Sequence, residues 1–178
     1  MMHRLPHIEE KMADKEKQER AKKFIAQNRR AKFDYFIDEV FEAGIMLFGS
    51  EVKSLREGHA SVNESFAALG KTENDDSVIM LYNAYIPENQ HTGNYFQHET
   101  KRPRQLLLRK KEITRLAQSV SRKGTTIVPL SMYFNEKGKV KIELGVARGK
   151  KLHDKRETEK ERDWQREKAK IMKDHKSE

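Results

Sequence analysis

Cysteine is absent from this 178-residue sequence, so disulfide bonds and thiolate metal sites are excluded and a reducing compartment is compatible with the chain. Long apolar runs are absent as well, and none approaches the roughly 20 residues that a membrane-spanning helix needs. The first residues, Met1 to Pro6, lead into a charged stretch without the apolar core of a signal peptide. These absences predict a cytoplasmic protein with no membrane partner.

Apolar residues are scarce in the sequence, and charged residues are abundant. Hydrophobic side chains make up 35% of the chain and charged side chains 37%, against roughly 25% charged residues in an average globular protein. A core must therefore be concentrated in one part of the chain. The net charge of +9 favours a polyanionic partner, because lysine and arginine neutralise phosphates and release counterions. A basic protein without such a partner is the alternative.

The charges divide the chain into three segments. Residues 1–27 carry 7 basic and 5 acidic side chains, residues 28–149 carry 19 and 15, and residues 150–178 carry 11 and 8. Both flanks have too few apolar residues to fold alone. In the first flank, Glu16–Arg20 and Glu19–Lys23 have the i,i+4 spacing that supports a frayed helix. We therefore expect a flexible or helical N-terminal extension, a folded middle domain and a mixed-charge tail.

A β-hairpin is predicted near the end of the middle segment. Apolar residues alternate from Val128 to Phe134 and again from Val140 to Val146, with the period of two that is typical of strands. Between the two runs, Asn135 to Gly138 supplies a turn in which the glycine suits positive φ.

Four further strands are predicted in the middle segment. One begins at Phe33–Ile37, and its alternation slips near Val40–Phe41, which indicates a bulge. The others are Ile45–Val52, Ser65–Leu69 and Ser77–Tyr85.

Helical spacing occurs in two places. Leu106 to Val120 has one apolar face, between Pro103 and Gly124, and a shorter helix is predicted at Lys53–Glu57. Short strands with few helices predict an all-β protein with peripheral helices, built as a small closed barrel of the oligonucleotide-binding type. Closure also removes the exposed edges of such short strands.

Catalytic motifs are missing from the sequence. It contains no G-x-S-x-G elbow, no phosphate-binding loop and no H-E-x-x-H pair. His91 and His98 are the one close histidine pair of the middle segment, and their spacing matches no common ligand set. Glu39, Glu42 and Glu51 lie near one another in sequence without the marks of an acid–base pair. We expect no enzyme activity, no metal and no cofactor.

Three basic clusters favour nucleic-acid binding. Asn28-Arg29-Arg30-Ala31-Lys32 precedes Tyr35, whose ring could stack on a base or a ribose while the cations hold phosphates. Lys101–Arg104 and Arg148–Lys151 are the other two clusters. For each cluster a solvated surface is the alternative, and the three favour binding only if folding brings them to one side.

The order of these motifs resembles the family of SsrA-binding proteins. The similarity covers residues 28–173 and is most specific in GVARGKKLHDKR, at Gly145–Arg156. The other similar stretches are Asn28–Tyr35, Phe41–Gly44, Glu51–Arg56 with Gly58, Leu106–Leu108, Val128–Tyr133, Lys139–Ile142, Trp164 and Ile171–Lys173. Two departures are the longer, more charged N-terminal flank and Ser50, where family members often carry a different or bulkier residue.

The resemblance implies a small barrel that grips the tRNA-like domain of transfer-messenger RNA. The residues implied in RNA binding are Asn28, Arg29, Lys32, Tyr35, Glu42, Leu107, Lys139, Lys141, Arg148, Gly149, Lys150 and Lys151. Glu42 stands out because a carboxylate cannot pair with phosphate. It could accept hydrogen bonds from bases or 2′-hydroxyl groups, or it could form a salt bridge that orients a lysine or arginine.

The resemblance also implies a ribosome-binding tail at residues 150–178, unstructured when free and helical in the empty messenger channel and decoding centre of the small subunit. Trp164, Ile171 and Met172 would form one narrow apolar stripe on such a helix. Elongation factor Tu is a further implied partner. A ribosomal or single-strand-binding module without RNA selectivity and a metal-dependent nuclease are the rival functions. The tail residues implied in ribosome contact are His153, Asp154, Lys155, Arg156, Trp164, Ile171, Met172 and Lys173.

Overall fold

The computed structural model describes residues 22–72, 74–89 and 97–174. These residues form seven strands and four helices. The strands are β1 (Lys23–Gln27), β2 (Tyr35–Ile45), β3 (Phe66–Lys71), β4 (Ser77–Tyr82), β5 (Arg104–Leu107), β6 (Thr125–Phe134) and β7 (Val140–Gly149). The helices are α1 (Ala31–Asp34), α2 (Gly49–Arg56), α3 (Lys110–Val120) and α4 (Leu152–Asp174).

Six of the strands pair into a closed antiparallel ring in the order β6-β3-β4-β5-β2-β7, and β7 pairs back onto β6. Two junctions of this ring are narrow. Ala67 opposite Ile127 joins β3 to β6, and Gly44 and Ile45 opposite Leu107 and Leu106 join β2 to β5. The mostly antiparallel ring with peripheral helices confirms the predicted fold class.

The core fills the inside of the ring. Alternate residues point inward along each strand, so Ile79, Leu106, Ile127 and Ile142 are fully buried in one cluster. Leu116 of α3 packs into the same cluster. Burying a side chain of this size contributes about 1.5–3 kcal/mol. The cluster therefore concentrates the hydrophobic stabilisation of a chain that is otherwise highly charged.

The hairpin of β6 and β7 is one of the two longest strand pairings of the ring, and it matches the prediction. Its register runs from Thr125 opposite Arg148 to Phe134 opposite Val140. Gly138 has φ of +68° in the turn. Asn135 Oδ1 accepts hydrogen bonds from the backbone N–H groups of Lys137 and Lys139, which closes the turn.

Two predicted elements are wrong in type. The strand predicted at Ile45–Val52 is the end of β2 followed by α2, because the Glu51 carboxylate accepts a hydrogen bond from the Phe48 backbone and caps the helix. Leu106 lies in β5, whereas the helix α3 begins only at Lys110. Leu106 points into the ring, so its apolar character reports a buried strand position.

Three boundaries differ from the prediction. Phe33 lies in the short helix α1, and β2 begins at Tyr35. The bulge of β2 lies between Ile37 and Glu39, slightly before the expected place. The sheet begins at Lys23 rather than at residue 28, because β1 pairs with the end of β6 that β3 does not cover.

The two flanks lie partly outside the described residues. Residues 1–21 are not described, so the expected helical pairs of the N-terminal extension and its predicted flexibility lie outside the described part. At the other end, residues 152–174 form the helix α4. The expectation that this segment is unstructured in the free protein and helical on the ribosome stays a prediction. No helix of the described residues is long and apolar enough to cross a membrane.

Candidate nucleic-acid interface

One of the three predicted basic clusters, Lys101–Arg104, is largely structural. Arg104 and Glu51 are both completely buried, and Arg104 Nε lies 2.7 Å from Glu51 Oε1. Arg104 also donates to the backbone carbonyls of Ala84 and Thr100. Arg102 Nη2 lies 2.6 Å from Glu51 Oε2. Arg104 is closed to any external partner, so this cluster does not supply the expected patch of exposed cations.

The two arginines determine the charge state of Glu51. Burial acts to raise the pKa of its carboxyl group, but hydrogen bonds from Arg102, the Phe48 backbone and Arg104 outweigh burial and hold the pKa below its usual range. Burial lowers the pKa of Arg104, against the opposing effect of Glu51. Glu51, Arg102 and Arg104 therefore form a largely buried ion-pair network rather than a general acid–base pair.

Of the two histidines that the sequence singled out, His91 and His98, the structure describes only His98. His98 is buried, with Nε2 3.2 Å from the Ile86 carbonyl oxygen and Nδ1 3.0 Å from Ser50 Oγ. Because a carbonyl can only accept, Nε2 carries a proton and donates it. His91 lies outside the described residues. Among the residues that the structure describes, no group of three or more His, Asp or Glu side chains is placed to hold a metal ion.

Asn28 has a structural role at the start of α1. Its side chain is buried, with Nδ2 donating to the Pro129 carbonyl at 3.2 Å and Oδ1 accepting from the Ala31 backbone at 3.0 Å. Its side chain therefore ties α1 to β6. Arg29 and Lys32 next to it are exposed, and Tyr35 is half-buried at the start of β2.

The end of β7 meets α1 and completes the first of two surface patches. Arg148 lies opposite Phe36 on β2 and makes a two-pronged ion pair with Asp38, at 2.8 and 2.9 Å. Lys150 Nζ donates to the Lys32 carbonyl at 3.0 Å. The α1 patch is defined as the exposed or half-exposed residues Arg29, Lys32, Tyr35, Arg148, Gly149, Lys150 and Lys151.

The pair of Arg148 and Asp38 is held by mutual charge. The hydrogen bond from Arg148 lowers the pKa of the Asp38 carboxyl group, and the Asp38 carboxylate raises the pKa of the Arg148 guanidinium. Both groups are solvent-accessible, so solvent and salt screen the pair and it contributes little to stability. Arg148 can therefore exchange Asp38 for a phosphate at small cost.

The second patch lies at the other end of the same two strands. Leu107, Gly44 and Lys141 stand side by side across β5, β2 and β7. Leu107 and Lys141 border an open groove of about 890 Å³ that Glu42, Arg109 and Lys110 also line. Lys139 lines an adjoining groove of about 420 Å³ that shares Leu107 and Lys141. The groove patch is defined as Glu42, Leu107, Arg109, Lys110, Lys139 and Lys141.

Gly44 lines the smaller of the two grooves, next to Leu107. A Cβ atom at Gly44 would lie 3.2 Å from the Cβ of Leu107, so a larger residue would push Leu107 aside. Leu107 is 52% exposed, which leaves it available for contact with a partner.

The two patches together hold the predicted RNA-binding residues other than the buried Asn28. Lys141 and Arg148 are seven residues apart on β7, a separation of roughly 23 Å at about 3.3 Å per residue. Folding therefore places the exposed RNA-binding candidates in two patches, one at each end of the β2–β7 pairing, rather than in a single patch. A partner that contacts both patches must span roughly 23 Å.

Glu42 contacts Lys141, which the sequence predicted, and Tyr133, which it did not predict as a site residue. The Tyr133 hydroxyl donates to Glu42 Oε2, and Lys141 Nζ lies 3.4 Å from Glu42 Oε1. The geometry is compatible with both expected roles of Glu42, because the carboxylate has a cation neighbour and is half exposed. The sequence signal for Tyr133 was the alternation of β6. Because Met132 and Phe134 point into the core, Tyr133 between them points to the outer face of the strand.

The tail residues fall into two groups. Near the barrel, Asp154 accepts from the Lys151 backbone at 3.0 Å and lies 3.0 Å from His153 Nε2. Lys155 Nζ lies 2.8 Å from Asp34 of α1. These contacts anchor the first turns of α4 to the α1 patch, and Arg156 points to solvent.

The distal half of α4 exposes two large apolar side chains, those of Trp164 and Met172. Trp164 is 61% exposed, with Lys168 Nζ 5.2 Å from its ring, and Met172 is 63% exposed. The backbone is helical at Ile171 and Lys173, but their side chains lie outside the described residues.

The ring of strands, its two patches and the helix with exposed apolar residues define a small antiparallel barrel of the oligonucleotide-binding type with cationic surfaces. Residues 25–174 match the family model described as SmpB protein. The chain belongs to this family.

Individual proteins give the same assignment. The chain is 55% identical over 153 residues to an SsrA-binding protein of Rhizorhabdus wittichii, covering 86% of this chain and 92% of the relative. It is 52% identical over 163 residues to an SsrA-binding protein of Azorhizobium caulinodans, covering 92% and 98%. A solved chain from "tmRNA-SmpB: a journey to the center of the bacterial ribosome" has a TM-score of 0.57 and 48% identity, covering 71% of this chain and 84% of that chain.

Proposed function

We propose that this protein binds transfer-messenger RNA and delivers it to stalled ribosomes, where the incomplete peptide is tagged and the ribosome is released. The observation that carries the proposal is the match to the SmpB family over residues 25–174, with 48% identity to a chain from a tmRNA–SmpB structure on the ribosome. The names of the SsrA-binding relatives point to the same RNA.

The barrel supplies the RNA grip. In the α1 patch, Arg29, Lys32 and Lys151 are exposed and offer cations to phosphates, while Tyr35 offers a ring edge for a base or ribose. The groove patch differs in chemistry, because it combines Lys141 with an exposed leucine and a carboxylate. Phosphate contacts give affinity, whereas the carboxylate can only accept hydrogen bonds and therefore gives selectivity.

The domain organisation follows from the two kinds of surface. The barrel, extended to begin at Lys23, holds the RNA through its tRNA-like domain. The helix α4 projects from the α1 patch and carries Trp164 and Met172 on its distal half. This half enters the empty messenger channel of the small subunit and contacts the decoding centre, where no codon is present.

Chemistry belongs to the partners in this mechanism. The chain acts as an RNA-binding adaptor without catalysis, metal or cofactor, and it works in the cytoplasm, where ribosomes and elongation factor Tu are found. The charges of Glu51, Arg102 and Arg104 are paired with one another, and Glu51 and Arg104 are fully buried, which supports a structural role for this group.

Two measurements test the proposal against its rivals. Sequencing of the RNA that co-purifies with the protein from cells should recover transfer-messenger RNA as the dominant species. In vitro, an excess of bulk tRNA should fail to displace that RNA. Ready displacement would favour a non-selective single-strand-binding module instead. RNA cleavage on addition of a divalent metal would favour the nuclease.

A further inference from the structure

Two carboxylates face each other on the outside of the barrel, in a protein of net charge +9. Glu42 on β2 lies directly opposite Glu143 on β7. Like charges in directly opposed positions destabilise a sheet, so this arrangement needs support from neighbouring groups. Each carboxylate has one hydroxyl and one ammonium partner: Tyr133 and Lys141 for Glu42, and Ser131 and Lys22 for Glu143.

The Tyr133 hydroxyl is held in place by its surroundings. The side chain is only 1% exposed, and its ring packs against Phe24 with centroids 5.8 Å apart. Lys22 Nζ lies 4.5 Å from the ring centroid and also lies 2.7 Å from Glu143 Oε1. The ring therefore has little freedom to move. Burial, followed by the hydrogen bond to Glu42, raises the pKa of the phenol, so the hydroxyl stays protonated and donates.

Glu42 keeps acceptor capacity beyond these contacts. Its side chain is 51% exposed and lines the open groove. A carboxylate offers about four lone-pair sites, and Tyr133 and Lys141 account for two of them. Rotation of Glu42 toward β7 is opposed by the charge of Glu143. The remaining sites are therefore directed into the groove.

We infer that Tyr133 is a positioning residue that fixes the Glu42 carboxylate to accept hydrogen bonds from 2′-hydroxyl or exocyclic amino groups of a bound RNA. The inference rests on the proposed function and adds to it the chemistry by which the groove patch selects its RNA. Glu143, held by Ser131 and Lys22, is the neighbour that restrains Glu42 without contacting the RNA itself.

Tyr133→Phe tests this inference, because it keeps the buried ring and removes the hydroxyl alone. The affinity for transfer-messenger RNA should fall by about three- to tenfold, the effect of losing one ordinary hydrogen bond. The affinity for bulk tRNA should stay the same. Ser131→Ala is the matched control, since it removes a hydroxyl two positions away on the same strand face that contacts Glu143, and Glu143 keeps both its charge and its ion pair with Lys22. It should leave the ratio of the two affinities unchanged.

A double-mutant cycle separates positioning from structure. Glu42→Gln alone should weaken cognate binding and leave bulk tRNA binding equal or stronger. Tyr133→Phe added to Glu42→Gln should have little further effect, because the group that it positions is gone. Equal losses for both RNAs, or losses that add in the double variant, would overturn the inference. A wild-type protein that does not distinguish the two RNAs would overturn the proposed function itself. This outcome is read from the wild type alone and is therefore distinct from the outcomes of the variants.

Discussion

Arg104 and Glu51 form an ion pair that is closed to solvent on both sides, with Nε and Oε1 2.7 Å apart. The pair joins α2 to β5 beside the junction of β2 and β5, which is only two residue pairs wide. Arg104 also donates to the Ala84 carbonyl at 2.6 Å. The side-chain network therefore reinforces the ring at a place where backbone hydrogen bonds are few.

Glu51→Gln should destabilise the protein strongly. The change leaves the buried Arg104 without a counter-ion, and breaking such a pair costs about 3–5 kcal/mol. Urea unfolding at neutral pH measures the loss. Glu39→Gln is the control, because its partner Arg115 lies 3.0 Å away at an exposed site, where a pair contributes less than about 1 kcal/mol. Equal losses in the two variants would show that the burial of Glu51 does not determine its contribution.

The same carboxylate predicts an acid sensitivity. The pKa of Glu51 is lower in the folded protein than its ordinary value of 4.5, so between the two values the unfolded state binds more protons. The stabilisation is fully present above pH 4.5 and is lost as the pH falls through the lower folded value. Unfolding free energies measured from neutral to acid pH should fall less steeply in Glu51→Gln than in the wild type. An unchanged slope would assign the acid sensitivity to other carboxylates.

Lys151→Ala should weaken RNA binding mainly by electrostatics. Lys151 is exposed in the α1 patch, and the loss of one phosphate contact should reduce the log–log salt slope by about 0.9. Lys150→Ala should have an additional effect, because Lys150 Nζ also joins the Lys32 carbonyl and Thr158 Oγ1. Lys53→Ala, on an exposed position of α2 outside both patches, is the control. A Lys151→Ala slope equal to that of the control would remove Lys151 from the phosphate contacts.

The sequence predicted the elements whose signal is local. The alternation in β6 and β7 and the turn glycine at Gly138 need no distant partner to be recognised. The errors fall where a distant partner decides. Glu51 starts a helix and pairs with Arg104, 53 residues away, so neither local charge nor periodicity could distinguish this cluster from an RNA-binding one.

The candidate site was predictable only in part, for the same reason. The resemblance supplied Glu42 and Lys141, but Tyr133 is separated from Glu42 by 91 residues and becomes its neighbour only through the register of three strands. Asn28 was expected to touch RNA on the basis of the motif alone. Its side chain donates to the Pro129 carbonyl of β6, which lies 101 residues further along the chain, so this structural role could not be predicted locally.

Removal of α4 should separate RNA binding from rescue. Truncation after Lys151 deletes the contact of Lys155 with Asp34 but leaves every strand of the ring in place. The deleted segment carries 9 basic and 8 acidic residues, so its net attraction for RNA is small and binding to transfer-messenger RNA should change by less than about threefold. Tagging of a peptide stalled on a messenger without a stop codon should be lost.

Trp164→Ala in the full-length chain should reproduce part of this tagging defect. Trp164 is 61% exposed, so its removal should leave the stability of the protein unchanged, while a docking surface for the ribosome is lost. Gln165→Ala is the matched control, because it is an exposed neighbour on the same helix. Binding and tagging should be measured on the same preparations of each variant. Full tagging by the truncated protein, or a parallel loss of RNA binding and tagging, would contradict the division of labour between barrel and tail.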